Sequence, residues 1–167
     1  MDEKLDQLAT QLQQLQAAHE ALLSLVRRKQ QALRLGQAEL VSETCTLENE
    51  HVQRIAELEK QRQRIVGQIT AELSPNAKAP LQMRQIAEAV AEPRRGQLLV
   101  LQQRLRQTMR TIERENEISR RAADGLLRHM QGIMQQVTAA MGGGTYRRGG
   151  DVASPPSASM SSISVTA

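Results

Sequence analysis

Large rings are almost missing from this chain. Its 167 residues include no Phe, no Trp and one Tyr, Tyr146. Aromatic residues enrich strands, so a sandwich, a barrel or a doubly wound sheet is not expected, and neither is a core built on rings. Base stacking and sugar stacking lose their usual side chains as well. Cysteine is nearly absent too. Cys45 stands alone, which excludes an internal disulfide and a Cys metal pair and fits a reducing compartment. No run approaches 18 apolar residues, so no membrane insertion is expected. Met1-Asp2-Glu3-Lys4 has no basic segment leading into an apolar one, so no secretory leader is expected. These absences together predict a soluble cytoplasmic protein.

What is abundant is Leu and Gln, 20 and 21 residues. Both favour helix. Leu5, Leu8, Leu12, Leu15, His19, Leu22, Val26 and Leu33 recur in steps of three and four, broken only by Lys29. That is the apolar stripe of an amphipathic helix over about 2–35. Leu35-Gly36-Gln37 reads as a tight reversal, because Gly tolerates the left-handed conformation that ends helices. A second helix is predicted over about 38–73, on Leu40, Thr44, Leu47, His51, Ile55, Leu58, Ile65, Ile69 and Leu73. Two prolines make Ser74–Pro80 a linker. A short helix over about 81–91 follows, and Pro93 either kinks the chain or opens the next helix.

The third long helix is expected over about 94–141. Its stripe is Leu98, Leu101, Leu105, Met109, Ile112, Asn116, Ser119, Ala123, Leu126, Met130, Ile133, Val137 and Met141. It is longer than either earlier helix, so part of it should overhang the pair. The fold class expected is all-α: an extended antiparallel helical bundle or coiled coil of three long helices plus one short helix. Residues 1–141 form that bundle, and 142–167, rich in Gly, Ser and Pro, form a disordered tail.

Enzyme chemistry finds no footing. His19, His51 and His129 are far apart, and none pairs at helical metal-ligand spacing. His19 and His51 lie on apolar stripes, where a polar layer that fixes helix register is expected. Gly142-Gly143-Gly144 follows a helix rather than a strand, so it is no phosphate loop. No cofactor and no metal are expected. Charge is uneven: residues 1–92 hold 11 basic and 13 acidic residues, whereas 93–167 hold 11 and 5. Without stacking aromatics or a dense arginine cluster, nucleic acid is not an expected partner.

The methionines point to binding. Met109, Met130, Met134 and Met141 lie on the third helix, and Met recurs on surfaces that accept varied apolar partners. With Leu126, Leu127, Ile133 and Val137 they widen the stripe near its end, as a groove for an amphipathic helix would require. Asn116 and Ser119 interrupt the stripe, either as a register-setting layer or as polar contacts to a partner. The alternatives for the wide stripe are self-association and ordinary packing on the short helix.

Four features, in order, resemble the FlgN-type flagellar export chaperones. The first is LQAAHEALLSLVRRKQQALRLGQAELVSETCTLENE (residues 15–50), with its turn at Ala32 to Gln37. The second is the run ELEKQRQRIVGQI (57–69). The third is Asn116 in the place of a paired-Asn element whose first position is here Glu113. The last is TYRRGG (Thr145 to Gly150) before a Ser-rich tail. The resemblance implies a cytoplasmic chaperone of the flagellar type III secretion system. Its implied partners are hook–filament junction proteins (flagellar hook-associated proteins), bound by their C-terminal segments, and the flagellar export apparatus. It implies that the C-terminal half makes the contact. The expected partner-binding residues are therefore Asn116, Ser119, Ala123, Leu126, Leu127, Met130, Ile133, Met134, Val137, Met141 and Tyr146, on a monomer or weak dimer. The competing expectation is a self-assembling coiled-coil scaffold.

Overall fold

The computed structural model describes residues 1–142, with the side chains of 141 and 142 left aside. Four helices run in the order α1 (Asp2–Arg34), α2 (Ala38–Leu73), α3 (Met83–Glu88) and α4 (Arg94–Gly142). No strand occurs among the described residues. The all-α expectation holds. Residues 143–167, which include Tyr146 and nearly all of the expected disordered tail, lie outside the described residues.

The α1 stripe is buried as its spacing requires: Leu5, Leu8, Leu12, Leu15, His19, Leu22 and Val26 are all shielded from water. Asp2 and Glu3 sit in its first turn, where the helix dipole favours acid. Its end is built on Gly36, whose φ of +66° is the left-handed conformation. The Gln37 N–H donates to the Ala32 carbonyl at 3.0 Å, and the Gly36 N–H donates to Leu33 at 3.3 Å. This pair of bonds is the Schellman closure, and it reverses the chain tightly.

Polar contacts give the directions of the long helices. Lys4 pairs with Glu72, the Gln11 amide donates to the Leu58 carbonyl at 2.8 Å, and Lys29 meets Glu48 at 2.5 Å. Residue numbers fall along α2 as they rise along α1, so the two are antiparallel. In contrast, Arg94 pairs with Asp2 and Asp6, Gln16 donates to Thr108 at 2.9 Å, and Gln30 donates to the Glu115 carbonyl at 2.7 Å. Numbers rise together, so α4 runs parallel to α1 and antiparallel to α2. Lys29, the one polar break in the α1 stripe, is thus matched by a carboxylate across the helix pair, and both groups are largely withdrawn from water.

The densest core lies where α1 begins, α2 ends and α4 begins. Leu5, Leu8, Leu12, Val66, Ile69, Met83, Ile86, Ala87 and Leu98 form one buried cluster. Each large side chain buried there contributes roughly 1.5–3 kcal/mol. The short α3 belongs to this core through Met83, Ile86 and Ala87. It is shorter than its apolar pattern suggested. Its start is set by the Gln82 N–H, which donates to the Gln85 side chain at 2.8 Å. Leu81, just before it, donates its N–H to the Thr70 hydroxyl at 2.9 Å, tying the linker back to α2. Pro93 stands immediately before α4, and its carbonyl accepts from Gln97 at 3.2 Å as the first bond of that helix.

The chain falls into two units, 1–127 and 128–167. The first holds the helix packing just described. The described part of the second, 128–142, is helical.

Candidate apolar interface on the last helix

Placed on a wheel of 3.6 residues per turn, Leu98, Leu101, Leu105, Met109, Ile112, Ser119, Ala123, Leu126, Met130, Ile133 and Val137 share one face of α4. Burial along that face is uneven. Leu98 and Ile112 are 2% and 7% exposed, and Leu101 and Leu105 are half-buried. From Leu126 to Val137 every large apolar residue on the face is open. Leu127 is 58% exposed and Met134 66%, with Leu126, Met130, Ile133 and Val137 near one half. Leu127 and Met134 broaden the stripe so that it spans about a third of the helix circumference over these residues.

Six of the expected partner-binding residues are therefore brought together as one open apolar strip: Leu126, Leu127, Met130, Ile133, Met134 and Val137. Ala123 lies half-buried at its beginning. Asn116 is exposed, so it does not act as a buried polar layer. Ser119 is buried, and its hydroxyl donates to the Glu115 carbonyl one turn back at 3.0 Å, which leaves that proton engaged within its own helix. Met141 is in α4, but its side chain is not among those described, and Tyr146 lies outside the described residues.

Charge on the turns before the strip is organised by Glu117. Its carboxylate accepts from Arg120 at 3.0 Å and from Arg121 at 2.8 Å. Hydrogen bonds from Arg120 first, then Arg121, hold the Glu117 carboxyl down at about 2. The same contact raises Arg120 above its ordinary value. Arg120 and Arg121 are thus both engaged within the helix. Arg128 makes no ion pair among the described residues.

A second concavity was not visible in linear spacing. Leu12, Val66, Leu81, Met83, Leu105 and Met109 line a cleft of about 580 Å³ in the first unit, with Glu59 and Arg62 at its edge. The Arg62 guanidinium hydrogen-bonds the Glu59 carboxylate and lowers its pKa against the opposing effect of burial. The cleft draws on α1, α2, the linker, α3 and α4, so no local spacing signalled it. Among the described residues no cluster of three or more His, Cys, Asp or Glu side chains is arranged to hold a metal ion, and no helix is long and apolar enough to cross a membrane.

Comparison with curated proteins and with solved structures gave no match. Comparison with protein families gave one described as FlgN protein, matched over residues 1–154, which takes in all four helices and the strip on α4. The chain thus belongs to the FlgN family of flagellar export chaperones.

Proposed function

We propose that this protein acts in the cytoplasm as the export chaperone of hook–filament junction proteins. On this reading it binds their C-terminal segments on the α4 strip, keeps them unassembled and delivers them to the export gate. The observation that carries the reading is the run of six large apolar side chains, Leu126 to Val137, left open on one helical face. A monomeric protein rarely leaves so continuous an apolar surface without a use for it. An amphipathic helix laid along the strip would present its own apolar residues at three- and four-residue spacing and withdraw both faces from water. Methionine at 130 and 134 suits a site that must grip and then release, because its flexible, unbranched chain adapts to different partners. No step needs a cofactor or a bond-forming residue: the proposed work is selective, reversible burial.

The test is co-purification of the full-length chain with a junction protein, against a chain lacking residues 123–167. Deletion is expected to abolish capture while the remaining helices keep their circular dichroism. Undiminished capture by the shortened chain would sink the placement of the site. A self-assembling scaffold is the second reading, and light scattering separates it from the first, since it requires large oligomers.

A further inference from the structure

The strip on α4 has an internal symmetry that an interface for a foreign helix does not require. From Ala123 the apolar positions follow at 126, 127, 130, 133, 134 and 137. The steps are 3, 1, 3, 3, 1, 3, the same read in either direction about Met130. Two antiparallel copies related by a two-fold axis at Met130 would therefore set Leu127 beside Met134, Leu126 beside Ile133 and the small Ala123 against Val137. Each row of side chains meets a row, and Met130 meets its own copy. An interface of this kind is self-complementary and closes after two chains.

Charge points to the same orientation. Residues 129–142 contain no Asp, Glu, Lys or Arg, whereas Glu117, Arg120, Arg121, Asp124 and Arg128 all precede them. In the antiparallel arrangement each copy's charged stretch lies beside the other's uncharged stretch. A parallel arrangement would instead lay the two charged stretches side by side. Six side chains about half exposed on each copy amount to roughly 1,000 Å² in total, at the lower edge of specific interfaces and so suited to weak, reversible pairing.

We propose that two copies of this chain pair antiparallel through Ala123–Val137 of α4, covering the strip when no client occupies it. The proposal rests on the same strip as the function above, but it concerns the protein alone. A client helix and a second copy then compete for one surface, so free chaperone hides its apolar face and loses that cover only to a better-fitting partner.

Sedimentation equilibrium of the full-length protein without any client, with reductant present because Cys45 is exposed, is expected to show a monomer–dimer equilibrium in the micromolar range. Met130→Glu places two carboxylates against each other on the axis, and should weaken the dimer on the order of 100-fold. Met130 is 55% exposed, so helicity should be unchanged. Orientation is read at Thr138, which is exposed and lies on the same flank of the strip as Arg120. Antiparallel pairing brings it beside Arg120 of the second copy. Thr138→Glu should then tighten the dimer about threefold, and Thr138→Arg should loosen it by a similar factor. Loosening by both variants would overturn the antiparallel arrangement. A monomer at every concentration, or oligomers beyond two, would overturn the pairing itself. A strictly monomeric protein that still captures a junction protein leaves the proposed function standing, and a dimer that captures none removes the function but not the dimer.

Discussion

Helix α4 carries one apolar face along its length, yet its two ends meet water differently. Over 98–112 the face is mostly covered: Leu98 belongs to the buried cluster with Leu5, Leu8, Ile69 and Ile86, Ile112 is buried, Leu101 and Leu105 are half-buried, and only Met109 is open. Over 126–137 the same phase continues with side chains of the same kinds, and each of the six is about half exposed or more. The residue types are alike, so hydrophobicity does not separate a core residue from a binding residue here. The difference is what stands opposite. The first stretch has side chains of α1, α2 and α3 against it, while the second is open to water.

The largest effects should come from crossing the two stretches. Leu98→Ala removes a side chain from the densest core and is expected to lower folding stability by about 2–5 kcal/mol. Ile133→Ala should leave stability within about 0.5 kcal/mol. Denaturant melts of the two variants measure the contrast, and a large loss for Ile133→Ala would erase it. Capture of a junction protein should show the reverse order. Ile133→Ala is expected to weaken it roughly tenfold, whereas Leu98→Ala, assayed where it remains folded, should leave it nearly unchanged.

Carboxylates give a smaller version of the same comparison. Glu48 sits within the α1–α2 pair against Lys29, whereas Glu117 lies on open α4 between Arg120 and Arg121. Glu48→Ala strands an ammonium with little access to water, and should reduce stability by about 1–3 kcal/mol. Glu117→Ala strands nothing, since both guanidinium groups remain solvated, and should change a thermal melt much less.

The smallest effect is a pH dependence. Folded-state Glu117 titrates at about 2 rather than the ordinary 4.5, so the helix favours its ionised form. That contribution is complete above the unfolded value and is lost as pH falls from about 4.5 through about 2. Glu117→Gln should lack it, so the helicity difference between this variant and the wild type should shrink across that window. Salt should shrink it too, because the cluster is exposed. A difference that persists at pH 2 and in 1 M salt would mean that packing, not charge, is responsible.

Much of the fold was legible in local pattern. Three- and four-residue spacing marks a helix wherever it occurs, and Gly36 between two such runs marks a reversal, because few other residues accept a positive φ without strain. The i, i+3 and i, i+4 separations of Glu117 from Arg120 and Arg121 allow their contact on any helix. The site was legible only in part. Leu126 to Val137 were expected to be open and are, but the reading of Asn116 and Ser119 as one polar interruption divides, with Asn116 in water and Ser119 buried and bonded to its own helix.

What the amino-acid order determined by itself is the set of helices, their amphipathic faces and the turn at Gly36, since each depends on neighbours within a few residues. Only the tertiary structure decided which part of the α4 face is core and which is open. It also decided that Lys29 finds Glu48, that Thr70 holds the linker, and that five elements enclose a cleft at Met109. Periodicity is a local property of a chain, but burial requires a second surface, and that surface is supplied by residues tens of positions away.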